Sequence, residues 1–345
     1  MQSIPKKSTR NQTLEWLKLL AAVMIVYVHI GLPGKAGKLM DCLVRFSVPL
    51  FFAISGYFSF GVPSGKLFKR LWHIIKLNLL ATAALTAWDC FFAAIQRRNP
   101  LETLTAAIPT VKQLGLWVLV HVSPFGGHLW YLAAAAAGYA VLTAYAAFFG
   151  NERINYRPLY IVSAALLAVR FAAADMLMRI GIEIPYYFLR DGWFYAVPMM
   201  GIGLFLREYQ QQILDNYRLN TRRLLAMLFF GVALSLIQYV SLGPSELPLG
   251  AIIQMIAMIL LSILHPRADF GSERLAKLIS CFGTVSTTIY ILQFCAYDAY
   301  AEFMFRYCKA FLGPLEIWVR PTIIATIAGM VGMLLILLKR LTKKT

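Results

Sequence analysis

The sequence predicts an all-α integral membrane protein of about ten transmembrane helices, with the N- and C-termini cytoplasmic. Three observations point there. Of 345 residues, 59% are hydrophobic and only 14% are charged, where soluble chains carry roughly 25% charge. The apolar residues form continuous runs that approach or exceed the roughly 18–20 residues needed to cross a bilayer, not the alternation of a β-barrel. The basic residues are shared unequally between alternate connections, as in multi-pass proteins.

Ten spans are expected, at 14–31, 42–60, 68–94, 128–149, 157–180, 192–209, 222–242, 248–264, 280–305 and 316–339. Turn and charge signals separate most of them: Gly31-Leu-Pro-Gly34, Val62-Pro-Ser-Gly65, Asn151-Glu-Arg153, Gly243-Pro-Ser-Glu246 and Gly313-Pro314. The basic start and apolar run at the N-terminus resemble a signal peptide. No small-x-small cleavage site follows, so the run reads as a retained first span. With the N-terminus inside, the inner segments hold 21 of the 33 Lys and Arg residues and the outer segments 10, while Arg45 and Arg170 fall within spans. The longest connection, 95–127, lies outside and contains Leu114-Gly-Leu-Trp-Val-Leu-Val120. That run is too short to cross and reads as an interfacial or re-entrant piece. The chain reads as one polytopic domain over 1–345, with no soluble domain, internal repeat or low-complexity tail.

The net charge of +17 is read as the topogenic excess of cytoplasmic loops and not as a nucleic-acid surface. The five cysteines, Cys42, Cys90, Cys281, Cys295 and Cys308, lie in or beside apolar runs without CxxC spacing. No metal site or disulfide framework is expected from them.

Polar residues inside spans are costly and point to function. The first span holds Glu15 and Lys18 near its inner end and His29 near its outer end. Lys18 and His29 are eleven residues apart, which puts them on one helix face with about 16 Å of axis between them. The second span carries Arg45 one turn in from the same outer surface. An arginine there must be paired, line an aqueous pocket, or snorkel to the interface. The fourth span opens with His128, Trp130 and Tyr131; for the last two an aromatic belt is the plainer reading. If these helices touch, His29, Arg45 and His128 share one depth. A neutral imidazole there can act as general base, and a fixed arginine can bind an anion or stabilise an oxyanion.

At the inner side Glu15 and Lys18, i and i+3, can pair. Lys66, Lys69, Arg70, His73 and Lys76 cluster where the third span leaves the cytoplasm. They are topogenic charge or a cradle for a polyphosphate ligand; no Gly-rich phosphate loop accompanies them. The acids Asp175, Glu183, Asp191, Asp298 and Glu302 read as interfacial charges. Ser55 reads as a packing residue and not as a nucleophile, because no base stands beside it in sequence.

These segments resemble the acyltransferase-3 family of bacterial integral-membrane O-acyltransferases. The first span, with Glu15, Lys18 and His29, is similar to the family opening of Asp, then Arg, then ten residues, then His. The stretch Arg45-Phe-Ser-Val-Pro-Leu-Phe-Phe-Ala-Ile-Ser-Gly-Tyr-Phe58 resembles the family's Arg followed by Phe-Phe-x-x-Ser-Gly, the most specific match. His128-Leu-Trp-Tyr-Leu132 and Thr287-Thr-Ile-Tyr-Ile-Leu292 also resemble family segments. The likeness covers nearly the whole chain.

The resemblance implies a multi-pass enzyme of the cytoplasmic (inner) membrane that takes an acyl group, commonly acetyl, from cytoplasmic acyl-CoA. It would pass the group to a hydroxyl of an envelope carbohydrate or small secreted molecule, as in polysaccharide O-acetylation. By position His29 would be the catalytic histidine, with Arg45 beside it. Lys18, with Glu15, would hold the place of the inner arginine, and Lys69 and Arg70 would match the basic pair after the second span. His128, Trp130 and Tyr131 would line the acceptor side. The implied partners are the acceptor, acetyl-CoA and the bilayer, without nucleic acid or metal; a homo-oligomer stays open. The sequence departs from the family at Lys18, Glu15 and Gln293, which stands where many members have a histidine. With no SGNH domain fused, a second transfer step would need another protein. The alternative is a transport or export module, like the membrane domain of the membrane-bound serine racemases of vancomycin resistance.

Overall fold

The computed structural model describes residues 11–121, 127–150, 154–173, 180–182, 185, 189–304, 307 and 313–342. Among them there is helix and no strand. Asp175, Glu183, Cys308 and the 151–153 turn lie outside the described residues. The described parts of all ten predicted runs are mainly helical, and among the described residues seven helical segments are long and apolar enough to cross a membrane.

The chain opens with α1 (Gln12–Ile30), capped by the Asn11 side chain on the Leu14 amide and ended by Gly31 at φ 69°, a conformation that favours glycine. The second predicted span is two helices, α2 (Gly34–Val44) and α3 (Ser47–Tyr57), and it begins earlier than the expected 42. The break falls at Arg45–Phe46 because Pro49 has no N–H to give the Arg45 carbonyl and its ring crowds that group. Arg45 and Phe46 keep right-handed helical angles (φ −63°, ψ −14° and φ −65°, ψ −18°), so the α2–α3 corner is a local turn between the two helices.

Next come α4 (Ser64–Ile95), the short helices α5 (Pro100–Ala106) and α6 (Val111–Val120), and α7 (Trp130–Phe149). The α6 helix contains the Leu114–Val120 run, and Val111, Val118 and Leu119 are exposed, as an apolar surface against lipid would be. The remaining helices are α8 (Arg157–Phe171), α9 (Val197–Asn216), α10 (Thr221–Leu242), α11 (Leu249–Leu264), α12 (Glu273–Ile279), α13 (Phe282–Phe303) and α14 (Glu316–Leu341). Three predicted spans fall outside the seven. The α8 helix has 15 residues and α11 has 16. The α9 helix turns polar from Arg207 onward, through Glu208, Gln210 and Asp215.

The core is built around α3, whose Leu50, Phe52, Ala53 and Ile54 are buried. Small residues let backbones approach, as is common between membrane helices. A Cβ on Gly56 would lie 2.0 Å from the Met200 carbonyl oxygen, and one on Gly203 would lie 1.9 Å from that of Ala53. So α3 and α9 cross backbone to backbone. Gly231 and Gly250 do the same for α10 and α11. Ala133, Ala134, Ala135, Ala137 and Ala146 of α7 are likewise buried.

The two ends of α1 meet different segments. At one end α1 finishes beside the α2–α3 corner, the start of α7 and the α10–α11 connection. At the other end, Asn11 donates to the Ser262 carbonyl, Thr221 meets His265, and Tyr57 donates to Gln210.

Candidate active site

His29 lies in the last turn of α1 and borders a small pocket of about 30 Å³ shared with Arg45, Ser47, Trp130, Arg190, Tyr195 and Glu246. Five segments of the chain converge on it. The α1 helix brings His29, the α2–α3 corner brings Arg45, and the start of α7 brings Trp130. The turn before α9 brings Arg190 and Tyr195, and the α10–α11 connection brings Glu246.

Arg45 does not snorkel. Its Nη1 donates to Glu246 Oε2 at 2.6 Å, and its Nη2 and Nε donate to Asp41 Oδ2 at 2.7 and 3.2 Å. Asp41 is one turn back on α2, so the corner holds its own counter-charge. Arg190 grips the same Glu246 with two parallel bonds, Nε to Oε2 at 2.8 Å and Nη2 to Oε1 at 2.7 Å. This fork geometry is specific to arginine. Glu246 thus ties two guanidinium groups together at the mouth of the pocket. Burial works against its charge, but the Arg190 hydrogen bond and the Arg45 charge hold its carboxyl below the ordinary glutamate value.

The aromatic wall fixes the floor. Trp130 packs edge-on to Tyr195 at 5.4 Å between ring centroids, and the Arg190 guanidinium lies 5.9 Å from the Trp130 ring. Arg170, 2% exposed, lies 5.2 Å from the Tyr195 ring and donates to the Leu189 carbonyl. Asp191 is buried and not the interfacial charge its position suggested. Its Oδ1 caps the Phe194 amide at 2.7 Å. Burial pushes its carboxyl up to about 6, against the opposing pull of the Phe194 amide and the Arg170 charge.

His128 sits behind His29. Phe294 lies between the two imidazoles, 5.5 Å from His29 and 4.6 Å from His128. The His128 ring is bonded to the Ile291 backbone, and its carbonyl accepts from the Tyr290 hydroxyl. Its Nε2 is buried without a hydrogen-bond partner among the described residues. Tyr131 turns away from the pocket and packs on Phe52 at 4.6 Å and on Tyr290 at 5.5 Å. Ser55 back-bonds to the Phe51 carbonyl, as a packing residue does. Gln293 is buried and donates to the Tyr290 carbonyl.

At the far end of α1, Lys18 Nζ pairs with Glu15 Oε1 at 3.0 Å and lies 5.7 Å from the Phe58 ring. Arg70 donates to the Phe58 carbonyl at 2.8 Å and to Ser59 Oγ at 3.2 Å. Lys18 and Arg70 therefore meet around the end of α3, while Lys69 is exposed on α4. Beside them Arg207 stacks on Tyr57 at 5.2 Å.

Arg190, Glu246, Asp41, Tyr195 and Phe294 were not singled out from sequence. Charge balance could have found Glu246, because Arg45 inside an apolar run requires an acid and the Gly243–Glu246 turn is expected at the same side.

A polytopic helical membrane protein with a half-buried histidine, two arginines and a bridging glutamate in one pocket is the class defined here. A family model described as an acyltransferase domain, acyltransferase-3, matches residues 11–338, and the chain belongs to that family. No curated protein and no solved structure matches it.

Proposed function

We propose that this membrane acyltransferase moves an acetyl group from cytoplasmic acyl-CoA to a hydroxyl of an envelope carbohydrate or related acceptor. The topology proposed with it has ten crossings of the cytoplasmic membrane and both termini in the cytoplasm, in line with the 21-to-10 charge bias. The observation that carries the reading is the arrangement on α1. Its outer turn places His29 in the pocket with Arg45, and its inner turn places Lys18 beside Phe58, which Arg70 also contacts.

In this reading the donor's phosphates lie against Lys18, Arg70 and the exposed Lys69. The acyl thioester reaches the pocket along the α1 face. His29 takes the proton of the acceptor hydroxyl, whose oxygen attacks the thioester carbonyl. The carbon–sulfur bond breaks and the CoA thiolate takes up a proton as it leaves. Arg45 faces the developing oxyanion, and Arg190 and Glu246 hold Arg45 in place. Trp130 and His128 shape the acceptor side. A route through transiently acylated His29 uses the same residues.

The test is transfer of label from acetyl-CoA to envelope glycan in proteoliposomes. Removing a general base costs roughly 10²–10⁴-fold, and removing an oxyanion donor roughly 10²–10³-fold. Both His29→Ala and Arg45→Ala are expected to show losses on that order. Wild-type transfer by both variants would overturn the mechanism. Solute uptake without any acyl donor would replace it with the transport reading.

A further inference from the structure

A second cavity, of about 290 Å³, opens between α4, α6 and α7. That is at the lower edge of the size range of small-ligand pockets, roughly 300–1,000 Å³. Its α7 wall includes Ala136 and Ala140, whose methyl side chains leave the space open, and Ile75 and Trp117 face it from α4 and α6. The neighbouring surface is apolar: Leu79, Leu80, Val118 and Leu119 are all exposed. On a spanning helix such a surface meets lipid and not water.

One lining residue does not fit an empty apolar groove. Asn78 stands midway along α4, is 4% exposed, and its Oδ1 has no hydrogen-bond partner among the described residues. A buried carbonyl left unpaired is costly, and more so at membrane depth. An aliphatic side chain would serve packing better. The groove therefore combines a hydrocarbon-shaped wall with one acceptor that lacks a donor. His121 sits at the other side of the groove, where its Nδ1 accepts from the Gly192 amide at 3.2 Å. Gly192 is two residues beyond Arg190 of the active-site pocket.

We infer that this groove binds one hydrocarbon chain of a membrane lipid that carries a hydroxyl or an amide N–H, which donates to Asn78 Oδ1. A plain alkyl chain would fill the volume and leave Asn78 unsatisfied. The lipid's polar end would emerge beside His121 and Gly192, next to the pocket that holds His29. The inference stands on the groove and on Asn78, independently of the acyl-transfer reading.

The experiment uses the full-length protein in detergent and two photoreactive probes, tetradecanoic acid and its 3-hydroxy analogue, each with a diazirine near the chain end. Cross-links are located by peptide mass spectrometry. The hydroxylated probe is expected to label the α4, α6 and α7 peptides roughly five- to tenfold more strongly, the effect of one added hydrogen bond. Asn78→Leu should keep labelling and erase the difference between probes. Ala140→Phe, at an exposed position, should abolish labelling at the groove and leave other sites unchanged. Thermal unfolding and gel filtration of both variants separate loss of binding from loss of fold. Equal labelling of the wild-type groove by the two probes would mean that water or nothing satisfies Asn78, and the proposal fails. Groove labelling that survives Ala140→Phe also refutes it. So does a groove that cross-links to a second copy of the chain and not to the probe.

Discussion

Replacing Glu246 by glutamine tests whether the pocket depends on a held arginine. The carboxylate accepts three charged hydrogen bonds, one from Arg45 and two from Arg190, at 2.6–2.8 Å. Removing one partner of a buried ion pair costs roughly 3–5 kcal/mol. Here the cost should be smaller, because the Glu246 side chain is 20% exposed, Arg45 keeps Asp41, and glutamine keeps an acceptor oxygen. About 1.5–3 kcal/mol of stability is expected to go. The larger effect should be on turnover. With its anchor weakened, Arg45 should leave the position in which it is proposed to face the oxyanion, and kcat should drop about 10–100-fold, part of the range for losing such a donor outright. The pH dependence gives an internal control. Glu246 has a lowered carboxyl pKa in the folded protein, so its contribution is complete above the ordinary glutamate value and is lost as pH falls through the lowered one. Denaturant or thermal unfolding of Glu246→Gln and wild type should therefore differ at neutral pH and converge in acid. A variant as active and as stable as wild type at pH 7 would sink the argument that Glu246 positions Arg45. A stability gap that persists unchanged into acid would point to shape and not to charge.

Asp191 should behave in the opposite sense. Its carboxyl is raised to about 6 by burial, so ionising it weakens the fold as pH rises from the ordinary aspartate value to about 6; Asp191→Asn, which keeps the cap on Phe194, should flatten that slope in unfolding measured between pH 4 and 7. Gly56→Ala and Gly203→Ala should each cost about 3 kcal/mol or more, the upper end for overpacking, because the new Cβ meets backbone and not a movable side chain; equal melting temperatures for wild type and both variants would contradict the α3–α9 crossing. Lys18→Ala should raise the KM for acetyl-CoA roughly tenfold with kcat little changed, as for a lost charge-assisted contact to the donor. Lys18→Arg should hold or improve that KM, since the fork suits phosphate. A change confined to kcat would move Lys18 from donor binding to chemistry.

How far the sequence reaches can be argued from single residues. The helical runs were legible because lipid leaves the backbone few alternatives. His29, Arg45 and Lys18 were legible because charge and imidazole inside apolar runs are conspicuous. Their partners were not. Glu246 and Arg190 stand in connections where charge is ordinary, and only the folding of five segments onto one end makes them neighbours. The α2–α3 corner was written in Pro49, but the run from Leu43 to Phe60 is so apolar that it read as one helix; the proline acts on the carbonyl four residues back, which is that of Arg45 itself. Asp41 holds Arg45 from one turn back, at 2.7 Å and the i,i+4 spacing of an ordinary helix, while Arg45 Nη1 reaches across to Glu246. The stretch from Arg45 to Phe58 carries the resemblance to the family, and the structure gives a physical reason for its spacing. Phe52 joins the aromatic wall with Trp130 and Tyr195. Ser55 closes its own bond to Phe51, and Gly56 lets α9 approach. The motif therefore describes a corner, a wall and a crossing point that together aim one guanidinium into the pocket with His29.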